Sequence, residues 1–226
     1  VFECAGLKTG MFTSPHLVDF RERIQVQGDM ISKADTTRLG NRLLSMDFGV
    51  YPTMFDYCLA MALLYFKEQK CDVVILETGL GGTYDSTNAC GVPDVTVIAK
   101  IGFDHMAILG DTLAKIAAEK AGIIKHGTAL VLESQEKEAM DVLNKAAECA
   151  DIKTTKVVNL DEIRILPQKD GKQCFSYAGY DAVTMKMLGV HQYENAVAAM
   201  LAAELFFEKY FAGKAKNHKE TIDNAV

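Results

Sequence analysis

The sequence contains six cysteines (Cys4, Cys58, Cys71, Cys90, Cys149 and Cys174) but no C-x-x-C pair, which argues against a zinc module. Several occupy apolar periodic positions, the usage of reduced, buried thiols in a cytosolic protein. No apolar run approaches the ~20 residues needed to span a bilayer, and no charged-then-apolar leader opens the chain. Positive charge is not in excess: 24 Lys+Arg against 30 Asp+Glu give a net charge of −6, which argues against non-specific nucleic-acid binding. A phosphate-bearing small molecule remains compatible, because it needs only local donors. There is no internal repeat, no low-complexity tract and no G-x-x-x-x-G-K-[ST] phosphate loop. What is present is an ordinary globular composition, 49% hydrophobic and 24% charged over 226 residues, enough for one large or two small domains.

The pattern turns on residues 72–88, DVVILETGLGGTYDSTN. Residues 72–76 form a short, β-branched, almost wholly apolar run, which predicts a strand buried on both faces of a parallel sheet. Glu77 stands where the run stops. Gly79, Gly81 and Gly82 follow, and glycines there let the backbone turn left-handed and come close to a ligand. In open α/β sheets the ligand crevice lies beyond the carboxyl ends of the strands, so Glu77 is expected at that edge. The same spacing also fits a solvated carboxylate ahead of an ordinary turn.

On the amino-terminal side, Gly6 is expected in the left-handed position at the end of a helix, so that the fold begins upstream of Val1. Residues 9–13 are predicted as a strand stopped by Ser14-Pro15-His16, and 20–31 as a hairpin or irregular excursion with a Gly-Asp turn. Ser32-x-x-Asp35 and Thr53-x-x-Asp56 resemble capping boxes. The first opens a helix to about Met46, with Leu39, Leu43 and Met46 on one face. The second carries a stripe of Phe55, Leu59, Ala62, Leu63 and Phe66. Further buried strands are predicted at 95–101 and 128–132. A helix runs from Asp111 or Thr112 to Gly122 or Gly127, and another is capped by Ser134 and reaches Cys149. This alternation predicts an α/β fold, a doubly wound, mostly parallel sheet flanked by helices. Strands at 157–165 and 173–187 around an Asp170-Gly171 turn predict a small antiparallel patch. A long helix over 192–211 follows, with Val197, Leu201, Leu205 and Phe206 facing inward. Residues 1–212 then make one domain, and 213–226 a polar tail.

Ser14, Glu77 and His105 each follow a predicted strand, and a doubly wound sheet is expected to gather such strand ends. A hydroxyl and a carboxylate leave room for waters and phosphate oxygens, the way Mg²⁺ is commonly held. Imidazole is a softer ligand than Mg²⁺ prefers, and His105 also reads as a hydrogen-bonded histidine at a strand end. Lys120 falls among the apolar positions Leu113, Ile116, Ala117, Ala121 and Ile124. It either snorkels to water or carries a perturbed or covalently altered amine, since a buried ammonium costs several kcal/mol. Thr53 and Asp56 are sufficiently explained as a cap and Phe55 as core, while Asp85 and Asn88 fit a side-chain-closed turn. Asn195 lies on the first turns of the long helix, where a buried amide must be paired or face a ligand.

Four strings, AGLKTGMFTSPHL with FRERI, LETGLGGTYDSTN, IGFDHMAILGDTLAKIAAEKAGIIKHG and GVHQYENAVAA, together resemble the folylpolyglutamate synthase and dihydrofolate synthase family of the Mur ligase superfamily. They occur in order and span most of residues 5–200. The resemblance implies the central ATPase domain of an ATP-dependent amide ligase. In that reaction ATP phosphorylates a carboxylate on the folate, and the amine of L-glutamate attacks the acyl phosphate. It implies Ser14, Glu77 and His105 as magnesium ligands, and Lys120 as a carbamylated lysine that helps position a second metal. His105 and Lys120 would then serve catalysis directly. Thr53, Met54, Phe55 and Asp56, with Tyr84, Asp85 and Ser86, match segments lining the pterin site, and Asn195 matches an adenine-nucleotide contact. Substrates would be ATP, L-glutamate and folate or dihydropteroate, handled by a cytoplasmic monomer with no nucleic-acid or membrane partner.

The family's glycine loop usually continues with arginine and a small aliphatic residue, where Thr83 and Tyr84 stand here. The family's phosphate-binding loop is expected upstream of Val1 and a carboxy-terminal domain beyond Val226. The 226 residues alone are therefore expected to be inactive. Two alternatives stand beside this reading: a non-catalytic pterin- or metal-binding relative, and a Mur-type ligase with a different acceptor.

Overall fold

The computed structural model describes residues 1–211, so the polar tail expected over 213–226 lies outside the described residues. The chain divides into two compact units, one holding residues 6–90 and the other residue 91 onward. None of the helices among the described residues is long and apolar enough to cross a membrane.

The first unit is built on a four-stranded sheet of β1 (Thr9–Phe12), β2 (Ile24–Val26), β3 (Asp29–Met30) and β4 (Val73–Leu76), in the order β3-β2-β1-β4. β1 runs parallel to β4 and antiparallel to β2. Two helices, α1 (Lys33–Leu44) and α2 (Met54–Gln69), start at the expected caps. The Ser32 hydroxyl accepts from the Asp35 N–H, and Thr53 and Asp56 form a reciprocal capping box. Phe12, Ile24, Ile31, Leu39 and Ala62 are fully buried between sheet and helices. Gly10 on β1 is fixed by packing, because a Cβ there would lie 2.7 Å from the Phe66 ring. Gly6 adopts the expected left-handed backbone, φ 80°.

Three expectations change in this unit. β4 is the outermost strand of its sheet, and Val74 and Ile75 are 41% and 42% exposed rather than buried on both faces. A short apolar run cannot tell an outer strand from a central one. α1 ends at Leu44, leaving Met46 half exposed, and Leu63 on α2 also faces outward. The turn of the β2–β3 hairpin is Gln27-Gly28, both at positive φ, and Phe20–Arg23 before it is a 3₁₀ turn.

The second unit holds a parallel sheet of β5 (Val95–Ile98), β6 (Ala129–Leu132) and β7 (Thr155–Val157) in sequence order, with α3 (Met106–Leu109), α4 (Leu113–Ala121) and α5 (Lys137–Cys149) between the strands. An antiparallel sheet of β8 (Arg164–Lys169), β9 (Lys172–Tyr177) and β10 (Tyr180–Met185) follows, and then the long helix α6 (His191–Tyr210), which packs on β5 and β6. Leu130, Val131 and Leu132 of β6 are fully buried, as a strand covered on both faces requires. Thr112 caps α4 and Asp170-Gly171 makes the β8–β9 turn, both at positive φ in the latter case. The α/β class with helix-flanked parallel strands and an antiparallel patch is thus as the sequence predicts.

Boundaries differ. β5 stops at Ile98, with Val97 40% exposed, and the antiparallel patch begins at Arg164 rather than 157, because Thr155–Val157 pairs with β6 instead. Ser134 does not cap α5, which starts at Lys137; its N–H is taken by the Glu194 carboxylate at 2.7 Å. Only Cys58 and Cys174 are buried, while Cys4, Cys90 and Cys149 are exposed, and none of the six is in a disulfide.

Replacing Gly10 by alanine forces the Phe66 ring or the β1 backbone to move. The Gly10→Ala variant is expected to lose about 1–3 kcal/mol of stability, read as a lower urea midpoint. An unchanged midpoint would show that the ring yields freely.

Candidate functional site

Parallel register sets the first part of the site. Phe12 pairs with Leu76, so β1 and β4 end at the same level, and the Glu77 N–H continues the ladder to the Phe12 carbonyl at 2.9 Å. The Ser14 N–H then donates to Glu77 Oε2 at 2.7 Å. No described residue hydrogen-bonds Glu77 Oε1 or the Ser14 hydroxyl, so two residues joined through one backbone bond each keep an unengaged hard oxygen. Such a pair fits a divalent cation that keeps most of its waters. Among the described residues, no group of three or more His, Cys, Asp or Glu side chains is arranged to hold a metal.

The segment after Ser14, which begins with a cis Ser14-Pro15 bond, is held by a residue the sequence reading passed over. Glu22 accepts the N–H groups of Leu17, Val18 and Asp19 at 2.7, 3.0 and 2.7 Å. The Leu17 amide, followed by those of Asp19 and Val18, draws the Glu22 carboxyl below its ordinary pKa. Leu17 and Val18 are each 91% exposed. The spacing Asp19-x-x-Glu22 is itself a capping-box signature, and it was the available signal.

The glycine loop is closed from within. Asp85 Oδ2 accepts the N–H groups of Gly79 and Leu80 at 3.0 and 2.9 Å, and Oδ1 accepts from the Thr87 N–H and hydroxyl at 2.9 and 2.6 Å. A Cβ on Gly79 would meet the Phe55 ring at 2.7 Å, so this glycine answers to close packing. Phe55 in turn lies edge-on to Phe12, with ring centroids 5.5 Å apart. Asp56 accepts from the Thr53 N–H and hydroxyl at 2.6 and 2.7 Å, and from the Ser86 hydroxyl at 2.5 Å. Thr53, Asp56 and Ser86 are therefore one cluster joining the start of α2 to the loop. Met54 and Tyr84, 71% and 91% exposed, stand out from it. The Ser86 bond, with those from Thr53, holds the Asp56 carboxyl below its ordinary pKa against the opposing effect of burial.

In the second unit, His105 lies seven residues beyond β5, at the left-handed N-cap of α3 (φ 48°). Its N–H donates to Asp104 Oδ1 at 2.7 Å, and its Nε2 lies 3.7 Å from Asp104 Oδ2. The residues around it are exposed, Phe103 and Ile108 included. Lys120 is half-buried on α4 beside buried Ile116, Ala117 and Ala121, and it has no ion pair among the described residues. Asn195 is exposed, its amide donating to Gln192 Oε1 at 3.1 Å, so the buried amide expected there is not found. A cleft of ≈ 480 Å³ lies at the amino ends of β5, β6 and β7, lined by Asp94, His126, Thr128, Lys153 and Glu208 among others. It contains none of the candidate metal-, nucleotide- or pterin-site residues named from the sequence.

Residues 36–203 match the Mur ligase middle domain, so the chain belongs to the Mur ligase family. Its relatives within that family are synthases of the folate group, as the four strings imply. It is 42% identical over 216 residues to the dihydrofolate synthase/folylpolyglutamate synthase of Bacillus subtilis, covering 88% of this chain and 49% of that protein. It is 38% identical over 212 residues to a folylpolyglutamate synthase of Arabidopsis thaliana, covering 90% and 34%. Among solved structures, the Thermotoga maritima folylpolyglutamate synthase superposes with a TM-score of 0.81 at 30% identity, covering 99% of this chain and 52% of that one. The Mycobacterium tuberculosis enzyme, complexed with ADP, gives 0.84 at 31%, covering 99% and 53%. The chain thus spans about half the length of the bacterial relatives and a third of the plant one.

Because the folded Asp56 pKa lies below its ordinary 3.8, its contribution to stability is complete above that value and lost as pH falls through the folded one. An Asp56→Asn variant is expected to unfold at lower urea than wild type at pH 7. The gap between them closes as the pH is taken below 3.8. Urea titrations across that range check this, and a gap independent of pH would contradict it.

Proposed function

We propose that the chain is the central ATP-binding part of a cytoplasmic, monomeric folylpolyglutamate synthase. Its reaction is the ATP-dependent addition of L-glutamate to a folate, and dihydrofolate synthase activity on dihydropteroate is a second possible use of the same chemistry. The observation that carries this reading is the Ser14–Glu77 contact at 2.7 Å, which leaves a hydroxyl and a carboxylate oxygen free at the carboxyl ends of two parallel strands. The resemblance of the four strings and the names of the relatives supply the substrates.

In this reading Ser14, Glu77 and His105 are magnesium ligands, and Lys120 bears a carbamate. Magnesium, when bound, offsets phosphate repulsion and stabilises the charge that develops in phosphoryl transfer. The chain's own residues do the rest. The Ser14 N–H fixes which Glu77 oxygen is free. The Thr53–Asp56–Ser86 cluster and the Asp85-closed glycine loop hold Phe55, Met54 and Tyr84 as the wall for a pterin ring. Asn195 offers its exposed amide to an adenine. The transferred phosphoryl group activates a folate carboxylate as an acyl phosphate, the glutamate amine attacks it, and phosphate leaves from the tetrahedral intermediate. A carbamate on Lys120 would remove the ammonium from its largely apolar surroundings, and extra mass on that amine in native mass spectrometry is its direct check.

A pterin-binding relative without ligase activity is the second reading, favoured by the Thr83-Tyr84 departure in the glycine loop. Supplying the gene-encoded protein with ATP, Mg²⁺, L-glutamate and a reduced folate decides between them. ADP and a longer glutamyl tail are expected, and Glu77→Gln is expected to lower the rate by about two orders of magnitude. Pterin binding by calorimetry without any ADP would establish the second reading instead. The 226 residues expressed alone are expected to make no product, since no G-x-x-x-x-G-K-[ST] loop occurs in them.

A further inference from the structure

The β5–β6 ladder ends at the pair Ile98–Leu132, closed by the Glu133 N–H on the Ile98 carbonyl at 3.0 Å. Beyond it the β5 chain continues as Ala99-Lys100-Ile101, with no strand among the described residues to receive the Lys100 and Ile101 N–H groups. Two side chains from the β6–α5 loop take over. Glu133 Oε2 accepts the Lys100 N–H at 2.6 Å, and Gln135 Oε1 accepts the Ile101 N–H at 2.8 Å. Gln135 Nε2 also donates to the Ala99 carbonyl at 3.0 Å, so its amide spans the segment as both donor and acceptor. The same loop is fastened on its other side, where the Ser134 N–H meets Glu194 on α6.

Glu133 is an unusual residue for such a task. It is only 2% exposed, and burial, with Glu194 nearby, raises its pKa. A buried carboxyl is costly unless it is hydrogen-bonded, and the Lys100 N–H supplies that bond. Four residues further along the held segment comes His105, in a stretch whose side chains are exposed and whose own hydrogen bonds are local. Ile101, 3% exposed, is the last buried residue before Leu109. The root of the His105 segment is thus fixed by Glu133 and Gln135 rather than by a strand.

We infer that Glu133 and Gln135 are positioning residues that set where His105 stands, acting through the backbone of Ala99, Lys100 and Ile101. The inference rests on His105 being a magnesium ligand in the proposed reaction, but the clasp itself is tested separately. Glu133→Ala in the gene-encoded protein is expected to raise the Mg²⁺ concentration for half-maximal ligation about tenfold, with the KM for L-glutamate unchanged. Glu133→Gln keeps an acceptor for the Lys100 N–H and is expected to restore most of the loss. Gln135→Ala, at a half-buried position, carries the same expectation should Glu133→Ala fail to fold.

Amide hydrogen exchange supplies the independent readout. Exchange at Lys100 and Ile101 is expected to quicken in the alanine variants, with the change extending through His105. A lowered Tm with the magnesium requirement and the exchange at 102–105 both unchanged would overturn the inference and leave the two residues a purely stabilising role. Equal effects of Glu133→Ala and Glu133→Gln would overturn it as well. If the wild-type protein makes no glutamyl product, the proposed function fails, and the exchange pattern alone still decides whether the clasp governs the His105 segment.

Discussion

Parallel pairing of β1 with β4 is the constraint on which the first part of the site depends. Parallel strands end on the same side of their sheet, so residues 63 positions apart in sequence, Ser14 and Glu77, meet there without any long side chain having to reach. A backbone N–H holds one carboxylate oxygen and thereby frees the other. The glycine loop adds to this a wall of fixed shape, because Asp85 satisfies amides that would otherwise need water or a ligand. The loop is closed by internal hydrogen bonding, and Gly79 answers to the Phe55 ring, while Gly81 takes a left-handed backbone, φ 68°.

The second unit solves the same problem differently. Where β5 ends, acceptors come from side chains of the β6–α5 loop, and a buried carboxyl and a half-buried amide stand in for a strand. Backbone amides tolerate this exchange because the acceptor geometry is nearly the same, with a net gain per bond of about 1 kcal/mol for a neutral acceptor and about 1.5–3 kcal/mol for a charged one. What changes is specificity: a carboxylate held by one amide can be placed only where that amide is, which makes the loop over 133–135 a template for the chain that passes it.

Much of the architecture was legible in the sequence because it rests on local rules. The caps at Ser32, Thr53 and Thr112, the Asp170-Gly171 turn and the alternation of strands with helices follow from side-chain hydrogen bonds and positive φ, which act over a few residues. The misreadings share a cause as well. Val74 and Ile75 look like the centre of a sheet, Met46 and Leu63 like core, and Asn195 like a buried amide. In each case a neighbour that only the fold supplies decides exposure. Ser134 looks like a cap, yet its N–H belongs to Glu194, sixty residues away. Glu133 and Gln135 had no local signature at all, since their partners lie 33 and 34 residues upstream. The sequence places Glu77 and Ser14 past strand ends because such ends announce themselves, whereas the residues that brace them do not.

The hold that Glu22 keeps on Leu17, Val18 and Asp19 has a thermodynamic corollary. Two aliphatic side chains stand almost wholly in water on a backbone whose conformational freedom has already been surrendered during folding. Ordering a backbone residue costs roughly 1–2 kcal/mol, and a flexible loop meets that cost each time it closes on a neighbour. This loop meets it once, on folding, so Leu17 and Val18 stand exposed on a backbone that has little ordering entropy left to lose.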